Sequence, residues 1–193
     1  MTSIYFVRHA KPNHCWEDDR TRPLSEEGMA DSEQVVKKLH DIPFDYAISS
    51  PYIRSVDTIK ECAKDHKLEI HMDERLRERQ KGRDGNNFTM FQKRWGDFDY
   101  HEEGGESLRM VQDRNIETIM ELLEYHEGEN ILVGTHGTAL STILNYFNPT
   151  FLCDDFLRII DFMPYIIRLD FNEKQCVGKE ELLIVEKEYN GKH

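Results

Sequence analysis

Two histidines of this chain stand where short apolar segments end, and an imidazole placed there can do chemistry. His9 follows Arg8 directly after residues 3–7, and His136 closes the segment 130–135. A neutral imidazole can attack phosphorus through one ring nitrogen and so divide a hydrolysis into two easier steps. An arginine beside it presents a planar fork that binds two phosphate oxygens at once. Arg8 and His9 alone are equally compatible with a surface cation and a hydrogen-bonded structural histidine. The second histidine favours a shared functional site, in which His136 would be a further donor to a phosphate bound beside His9.

These side chains need elements that bring them together. Residues 3–7 and 130–135 are predominantly apolar and rich in strand-forming residues, which predicts two strands. Pro12 prevents the first from continuing as regular strand. In open α/β sheets, ligands bind beyond the carboxyl ends of the strands, so both histidines are expected at one edge of the sheet. Gly137, directly after His136, would let the backbone approach a phosphate oxygen because it carries no Cβ.

A second arginine is placed by a predicted strand-to-helix turn. Residues 46–49 indicate a short strand, and Ser50-Pro51 predicts the start of a helix, with serine as the cap and proline at the first helical position. Arg54 would lie one turn inside this helix, where its guanidinium and the free backbone N–H groups can converge on one anion. Phosphoryl transfer depends on positioning and on stabilising the charge of the equatorial oxygens. Arg8 and Arg54 are the predicted clamp for those oxygens.

Four segments, in this order along the chain, resemble the signatures of the histidine phosphatase superfamily, which has the phosphoglycerate-mutase-like fold. They are Phe6-Val7-Arg8-His9-Ala10, residues 49–58, Leu76-Arg77-Glu78-Arg79 followed by Gly82, and Gly134-Thr135-His136-Gly137. Residues 22–28 and 104–108 also match, and the resemblance runs from near residue 4 to near residue 145. Each motif is weak by itself, whereas four in the family's order are specific. The resemblance implies a phosphohistidine mechanism in which the carboxyl at the position of Glu78 protonates the leaving oxygen and then activates water.

The acid role of Glu78 has an alternative in the sequence itself. Arg75, Arg77 and Arg79 surround this carboxylate, and Glu74 lies about one turn before it. Such a group is also typical of a surface ion-pair cluster. The leaving alkoxide nevertheless needs a proton, and the resemblance assigns that proton to Glu78.

The chain departs from the family pattern in three places. The common Arg-His-Gly reads Arg8-His9-Ala10, a variant that family members also carry. The asparagine that follows the histidine in mutases has its nearest counterpart in Asn13, at a different spacing, so Asn13 is the candidate for that phosphate-binding role. The tryptophan usually found after the third motif is absent near residues 83–84. The sequence therefore leaves the substrate-selecting part of the pocket undefined.

Composition limits the classes of function. The chain has 193 residues, of which 25 are basic and 37 acidic, so its formal charge is −12. No basic stripe is present to neutralise a nucleic-acid backbone, and the same charge disfavours anionic membranes. An anionic substrate must be attracted by a local cluster of arginines. The four cysteines are scattered without metal-ligand or disulfide spacing, and the first apolar run is too short for a signal peptide; a cytoplasmic location is the expectation.

The order of predicted elements indicates one α/β domain over residues 1–193, a three-layer α/β/α sandwich with a mostly parallel central sheet. Four helices are expected. The first runs over about 25–40, the second begins at residue 51, the third follows Gly104-Gly105 and ends at about 125, and the fourth runs over about 138–146. Residues 165–171 alternate apolar and polar, which predicts a half-exposed strand near an edge, and 182–185 predicts a final buried strand. Residues 79–106 are irregular and rich in aromatics, and we interpret them as a helical lid or insertion over the site.

These observations predict a phosphomonoester hydrolase that acts through a phosphohistidine at His9 on a small phosphorylated metabolite, with no dissociable cofactor. Metal binding is disfavoured because two arginines would repel a cation. A cofactor-dependent phosphoglycerate mutase is the first alternative, and a catalytically silent domain that binds phosphorylated ligands is the second. No nucleic-acid or membrane partner is expected, and the sequence does not predict an oligomeric state.

Overall fold

The structure is a computed structural model that describes residues 1–188. Six strands form one mixed sheet in the order β3-β2-β4-β1-β5-β6. They are β1 (Thr2–Arg8), β2 (Tyr46–Ser49), β3 (Ile70–Met72), β4 (Asn130–Thr135), β5 (Phe162–Asn172) and β6 (Gln175–Glu186). The first four are parallel, whereas β5 pairs antiparallel with both β1 and β6.

The register of the two central strands brings the predicted site together. In β1 and β4, Arg8 lies opposite Thr135. The next residue of each chain segment is a histidine, so His9 and His136 lie side by side at the carboxyl edge of the sheet. This is the arrangement that the two apolar segments predict.

Helices cover both faces of the sheet, and this confirms the three-layer α/β/α sandwich. They are α1 (Glu26–Leu39), α2 (Ile53–Asp65), α3 (Phe88–Gly96), α4 (Leu108–Tyr125), α5 (Gly137–Phe147) and α6 (Cys153–Ile159). Tyr5 and Val7 of β1 pack into a core shared with α1 and α2, while Ile4 and Phe6 pack into a core shared with α4 and α5. Both faces of β1 are therefore buried, which explains its continuous apolar sequence.

The last two strands reverse the predicted burial: β5 lies next to the edge of the sheet as expected but is not half-exposed, and β6 is not buried. β5 lies between β1 and β6 and is mostly buried, because its apolar residues pack into the cores on both faces of the sheet. Its polar residues Arg168 and Asp170 stay partly exposed and form an ion pair with each other. β6, which contains residues 182–185, is the edge strand and is mostly exposed. An alternating pattern of apolar and polar residues therefore does not show whether both faces of the strand are covered.

Two helix predictions also need correction. α2 begins at Ile53, with Tyr52 as the N-cap, and not at Pro51. The sequence analysis missed α6, a helix of 7 residues whose Asp155 side chain accepts from the backbone N–H of Leu152. An acidic first turn is a helix-start signal that the sequence does contain at Asp154 and Asp155.

Residues 79–106 contain α3, which Asn87 caps by accepting from the N–H of Met90. Phe91 and Trp95 of α3 pack against Phe156 of α6 in a third apolar cluster. The function of this segment as a lid stays a prediction. Among residues 1–188, no helix is long and apolar enough to cross a membrane.

Candidate active site

A cavity of about 340 Å³ opens at the carboxyl edge of β1 and β4. Its charged residues are mainly basic, with two carboxylates among them, and α3, α6 and the start of β5 form an apolar side. The lining residues are Arg8, His9, Pro12, His14, Asp19, Arg22, Arg54, Glu78, Arg79, Lys81, Asn86, Phe91, Gly137, Thr138, Phe156, Ile160 and Met163. A chain with a formal charge of −12 thus concentrates positive charge in one cavity, as an anionic substrate requires.

His9 is held as a neutral imidazole with one defined tautomer. It is 5% exposed, and Nδ1 lies 2.7 Å from the carbonyl oxygen of Ala10. Because a carbonyl only accepts, Nδ1 must carry the proton, and the lone pair is then on Nε2. Burial, together with the charges of Arg54 and Arg8, lowers the pKa of His9 well below its ordinary value of 6.5. A neutral ring with a free Nε2 lone pair is what nucleophilic attack on phosphorus needs.

Arg8 is fixed by backbone carbonyls at the far side of the cavity. Its Nη1 lies 2.9, 2.7 and 3.1 Å from the carbonyl oxygens of Ile159, Ile160 and Phe162. These carbonyls come from the end of α6 and the start of β5, which makes the unpredicted helix part of the site. A Cβ on Gly137 would lie 3.0 Å from three atoms of the Arg8 guanidinium. Glycine at position 137 therefore leaves room for the Arg8 guanidinium. This contact explains the glycine more directly than the predicted approach of a phosphate.

Arg54 lies in the first turn of α2 and is 4% exposed. Its Nη1 donates to the carbonyl oxygen of Asp19 at 2.5 Å, and its Nη2 lies 3.1 Å from Asp19 Oδ1. The guanidinium carbon lies 5.2 Å from the centre of the Tyr52 ring. The structure thus brings Arg54 to the same cavity as Arg8 and His9.

Glu78 lines the cavity and also binds the start of α5. Oε1 accepts from the N–H groups of Arg79 at 2.8 Å and Ala139 at 3.0 Å, and Oε2 accepts from the N–H of Thr138 at 3.0 Å. The three neighbouring arginines do not form the ion-pair cluster around it that the sequence left open: Arg75 pairs with Asp73 and Glu121, Arg77 with Glu106, and Arg79 with Glu102. From residues 1–188, Oε2 accepts only one N–H bond and so keeps a lone pair that can carry the proton of an acid; an acid role requires that proton to face the substrate.

His136 lies beside His9 but is not among the residues that line the cavity. It is 0% exposed, its Nε2 lies 2.7 Å from Ser50 Oγ, and its ring meets that of His9 edge to face with centroids 5.3 Å apart. Burial and the charge of Arg54 lower the pKa of His136 well below 6.5. Its Nδ1 is buried without a hydrogen-bond partner among residues 1–188, whereas a phosphate contact through Nε2 would require Nε2 to exchange Ser50 for a phosphate oxygen.

Asn13 is not brought together with the other predicted residues. Its Oδ1 accepts from the N–H of Cys15 at 3.1 Å, within its own loop, and it does not line the cavity. The sequence analysis also missed four charged residues that do line the cavity: Asp19, Arg22, Arg79 and Lys81. Arg79 and Lys81 could have been suspected from their position directly after Glu78, whereas nothing in the polar loop distinguishes Asp19 from its acidic neighbours.

Within residues 1–188, no group of three or more histidine, cysteine, aspartate or glutamate side chains is arranged to hold a metal ion. The positive charge of the cavity comes instead from guanidinium and ammonium groups.

The sheet order, the covering helices and the paired histidines define an α/β domain of the phosphoglycerate-mutase-like class, and solved structures share this fold. The Bacillus stearothermophilus protein YhfR matches with a TM-score of 0.75 and 22% identity, covering 98% of both chains. A phosphoserine phosphatase mutant from Entamoeba histolytica in complex with phosphoserine matches with a TM-score of 0.77 and 18% identity, covering 94% of this chain and 97% of the other. A mycobacterial glucosyl-3-phosphoglycerate phosphatase matches with a TM-score of 0.72 and 14% identity, covering 96% and 99%.

The family model of the histidine phosphatase superfamily (branch 1) matches residues 4–177. The chain therefore belongs to the histidine phosphatase superfamily, and this confirms the resemblance seen in the four motifs. A curated relative, the probable phosphoglycerate mutase GpmB of Salmonella choleraesuis, is 27% identical over 161 residues, which are 75% of this chain and 74% of that protein.

Proposed function

We propose that this protein is a metal-independent phosphomonoester hydrolase that works through a phosphohistidine at His9. The observation that carries the proposal is the His9 imidazole: it is buried, neutral, and fixed by Ala10 so that Nε2 bears the lone pair. Arg8 and Arg54 line the same cavity. Together they supply a nucleophile and two planar cations for the oxygens of the transferring group.

The proposed reaction has two steps. Nε2 of His9 attacks phosphorus, the N–P bond forms and the ester P–O bond breaks, while Glu78 protonates the leaving oxygen. Water then attacks the phosphohistidine, Glu78 takes its proton back from that water, and inorganic phosphate and the free imidazole are restored. His136 is proposed to keep the His9 ring in place through their edge-to-face contact and to donate to a phosphate oxygen.

We propose a small phosphorylated metabolite as the substrate. One structural neighbour is described as a phosphoserine phosphatase, in complex with phosphoserine in one structure and with 3-phosphoglyceric acid in another. A second neighbour is described as a glucosyl-3-phosphoglycerate phosphatase. The cavity volume of about 340 Å³ is of the size that suits small ligands. His14, Arg22 and Lys81 add positive or titratable groups to the lining beyond Arg8 and Arg54.

A phosphoglycerate mutase is the second candidate, because the curated relative of 27% identity bears that description. It would use the same phosphohistidine but return the phosphate to its substrate. Release of inorganic phosphate from a panel of aryl phosphates, sugar phosphates, phosphoglycerates and phosphoserine separates the two. A hydrolase releases phosphate in each turnover, a strict mutase interconverts phosphoglycerates and releases little, and a silent binding domain does neither.

A further inference from the structure

Asp19 is a carboxylate of the cavity lining that contacts two of the cavity's arginines. Its Oδ1 lies 2.9 Å from Arg22 Nη1 and 3.1 Å from Arg54 Nη2, and its backbone oxygen accepts from Arg54 Nη1 at 2.5 Å. The Arg54 side chain is 5% exposed and the Asp19 side chain 37% exposed. The partly exposed Asp19 carboxylate is therefore in direct contact with the buried Arg54 guanidinium, the group that we propose binds the phosphate.

The loop around Asp19 is built to keep it there. The Asp18 carboxylate accepts from the N–H of Thr21 at 2.8 Å and from its hydroxyl at 2.6 Å. Arg22 Nε donates to the carbonyl of Trp16 at 3.1 Å. The N–H of Ile53, the first residue of α2, donates to the carbonyl of Arg20 at 3.2 Å. The loop is thus attached to the helix start that carries Arg54.

Asp19 contacts one edge of the Arg54 guanidinium and leaves a second edge available for another ligand. A guanidinium can bind along the edge between its two Nη atoms or along the edge between Nε and one Nη. Asp19 takes the Nη1–Nη2 edge, and the Tyr52 ring lies on the face at 5.2 Å. Among residues 1–188, Nε of Arg54 has no hydrogen-bond acceptor. A phosphate approaching along the Nε edge would meet a cation already held in orientation.

We infer that Asp19 is a positioning residue of the phosphate clamp: it fixes the Arg54 guanidinium so that its Nε edge faces the transferring phosphoryl group. The inference rests on the proposed function but predicts a binding property that can be measured without turnover. The opposite effect, in which Asp19 competes with phosphate for Arg54, is an outcome of the same experiment.

The test is a double-mutant cycle on binding of orthovanadate, a phosphate mimic, measured by calorimetry. Asp19→Asn keeps the side-chain shape and the backbone oxygen but removes the charge that holds Nη2. We expect it to weaken vanadate binding by about tenfold, within the usual range for a hydrogen bond to a charged group. In an Arg54→Met background, the same change should alter binding by less than about twofold, because the two residues act as one unit.

The matched control is Glu17→Gln, which removes the same charge from the same loop at an exposed carboxylate. No contact of its side chain with an arginine is found in the described part of the chain, and vanadate binding should stay at the wild-type value. Arg54→Gln serves as a second background if Arg54→Met does not fold, as judged by circular dichroism and Tm.

Three results would overturn the inference: tighter or unchanged vanadate binding by Asp19→Asn, equal losses in both Arg54 backgrounds and in wild type, or no vanadate binding by the wild-type protein. Failure of the proposed function would look different. The wild-type protein would then release no phosphate from any ester of the panel while the non-additive cycle in vanadate binding remained.

Discussion

The polar side chains at the floor of the cavity and those in its wall are held in place by different kinds of partner. At the floor, which we define as the lining residues Arg8 and His9 together with the buried His136 beside them, the hydrogen-bond partners are backbone carbonyls and one serine hydroxyl. In the wall, defined as residues 79–106, buried charges hold one another. A backbone acceptor stays in place as long as the sheet does, whereas an ion pair depends on both side chains.

The wall contains a buried network of two arginines and one glutamate. Arg94 Nη2 pairs closely with Glu102 Oε1, and Arg79 Nη1 lies 3.5 Å from Glu102 Oε2. Both arginines also donate to Asn86 Oδ1, at 3.2 Å from Arg79 and 2.9 Å from Arg94. Because Arg79 follows Glu78 directly, this network connects the candidate acid to α3. This difference predicts that substitutions at the floor lower the rate of phosphate release, whereas substitutions in the wall lower the stability of the fold more than the activity of the folded protein.

The largest effect is expected from His9→Ala at the floor. Without a nucleophile the phosphohistidine cannot form, and phosphate release should fall by roughly a thousandfold or more. Rapid acid-labile phosphate trapping on the wild-type protein, mapped to His9 by mass spectrometry, checks the intermediate. Substantial turnover by the variant would refute the mechanism.

Arg54→Lys should have the next largest effect. Lysine keeps the charge but loses the planar fork that binds two oxygens, so kcat/KM should fall by roughly tenfold to a hundredfold. Steady-state kinetics on an aryl phosphate measures it. Nearly normal activity would show that Arg54 does not clamp the phosphate.

The floor is also the part of the molecule that the sequence predicts best. His9 and His136 follow directly on two paired strands, so a reading of two apolar segments places them side by side. Arg54 follows from the strand-to-helix turn even though α2 begins two residues later than expected. In each case a local motif and the order of the elements suffice to place the residue at the edge of the sheet.

The remaining parts of the site depend on contacts that local patterns do not encode. Arg8 is fixed by carbonyls from residues 159–162, more than 150 positions away, on a short helix that the sequence analysis missed. Asp19 differs from Asp18 only in the direction that its loop gives it. The burial of β5 depends on its place between β1 and β6 and on the cores that cover both of its faces. Tertiary packing decides all three.

Glu78 lines the cavity and directly precedes the wall in the sequence. A variant of Glu78 therefore tests whether this residue takes part in the chemistry or only in the structure. An alkyl phosphate expels a strongly basic alkoxide and needs the proton, whereas nitrophenolate leaves well without it. Glu78→Gln should therefore lose activity on an alkyl phosphate on the order of tenfold more than on an aryl phosphate. The amide keeps one hydrogen-bond acceptor for the start of α5.

Glu74→Gln is the control, because Glu74 pairs with Arg20 outside the cavity. Equal losses by Glu78→Gln on both substrates would make Glu78 structural. A leaving-group dependence in Glu74→Gln alone would mean that the third motif is aligned one turn too late.

The wall is tested by Glu102→Gln, which leaves two buried arginines without their carboxylate. Breaking a buried ion pair on one side costs about 3 kcal/mol, so the Tm should fall by roughly 5–10 °C. The folded fraction should keep most of its phosphatase activity. Glu103→Gln is the matched control, since its pair with Arg83 is about four-fifths exposed and contributes little. An unchanged Tm in Glu102→Gln would remove the distinction between wall and floor.

The smallest effect is expected from exhaustive chelation. Arg8 and Arg54 supply the positive charge that a metal ion provides in other phosphoryl-transfer sites, and their guanidinium groups would repel a cation from the same cavity. Phosphate release should therefore be the same after dialysis against a strong chelator as before it. The parallel sample, given added magnesium or manganese, controls for inhibition by the metal itself. Activity that disappears with the chelator and returns with a divalent ion would place a metal at the floor, and the two arginines would then need a different role.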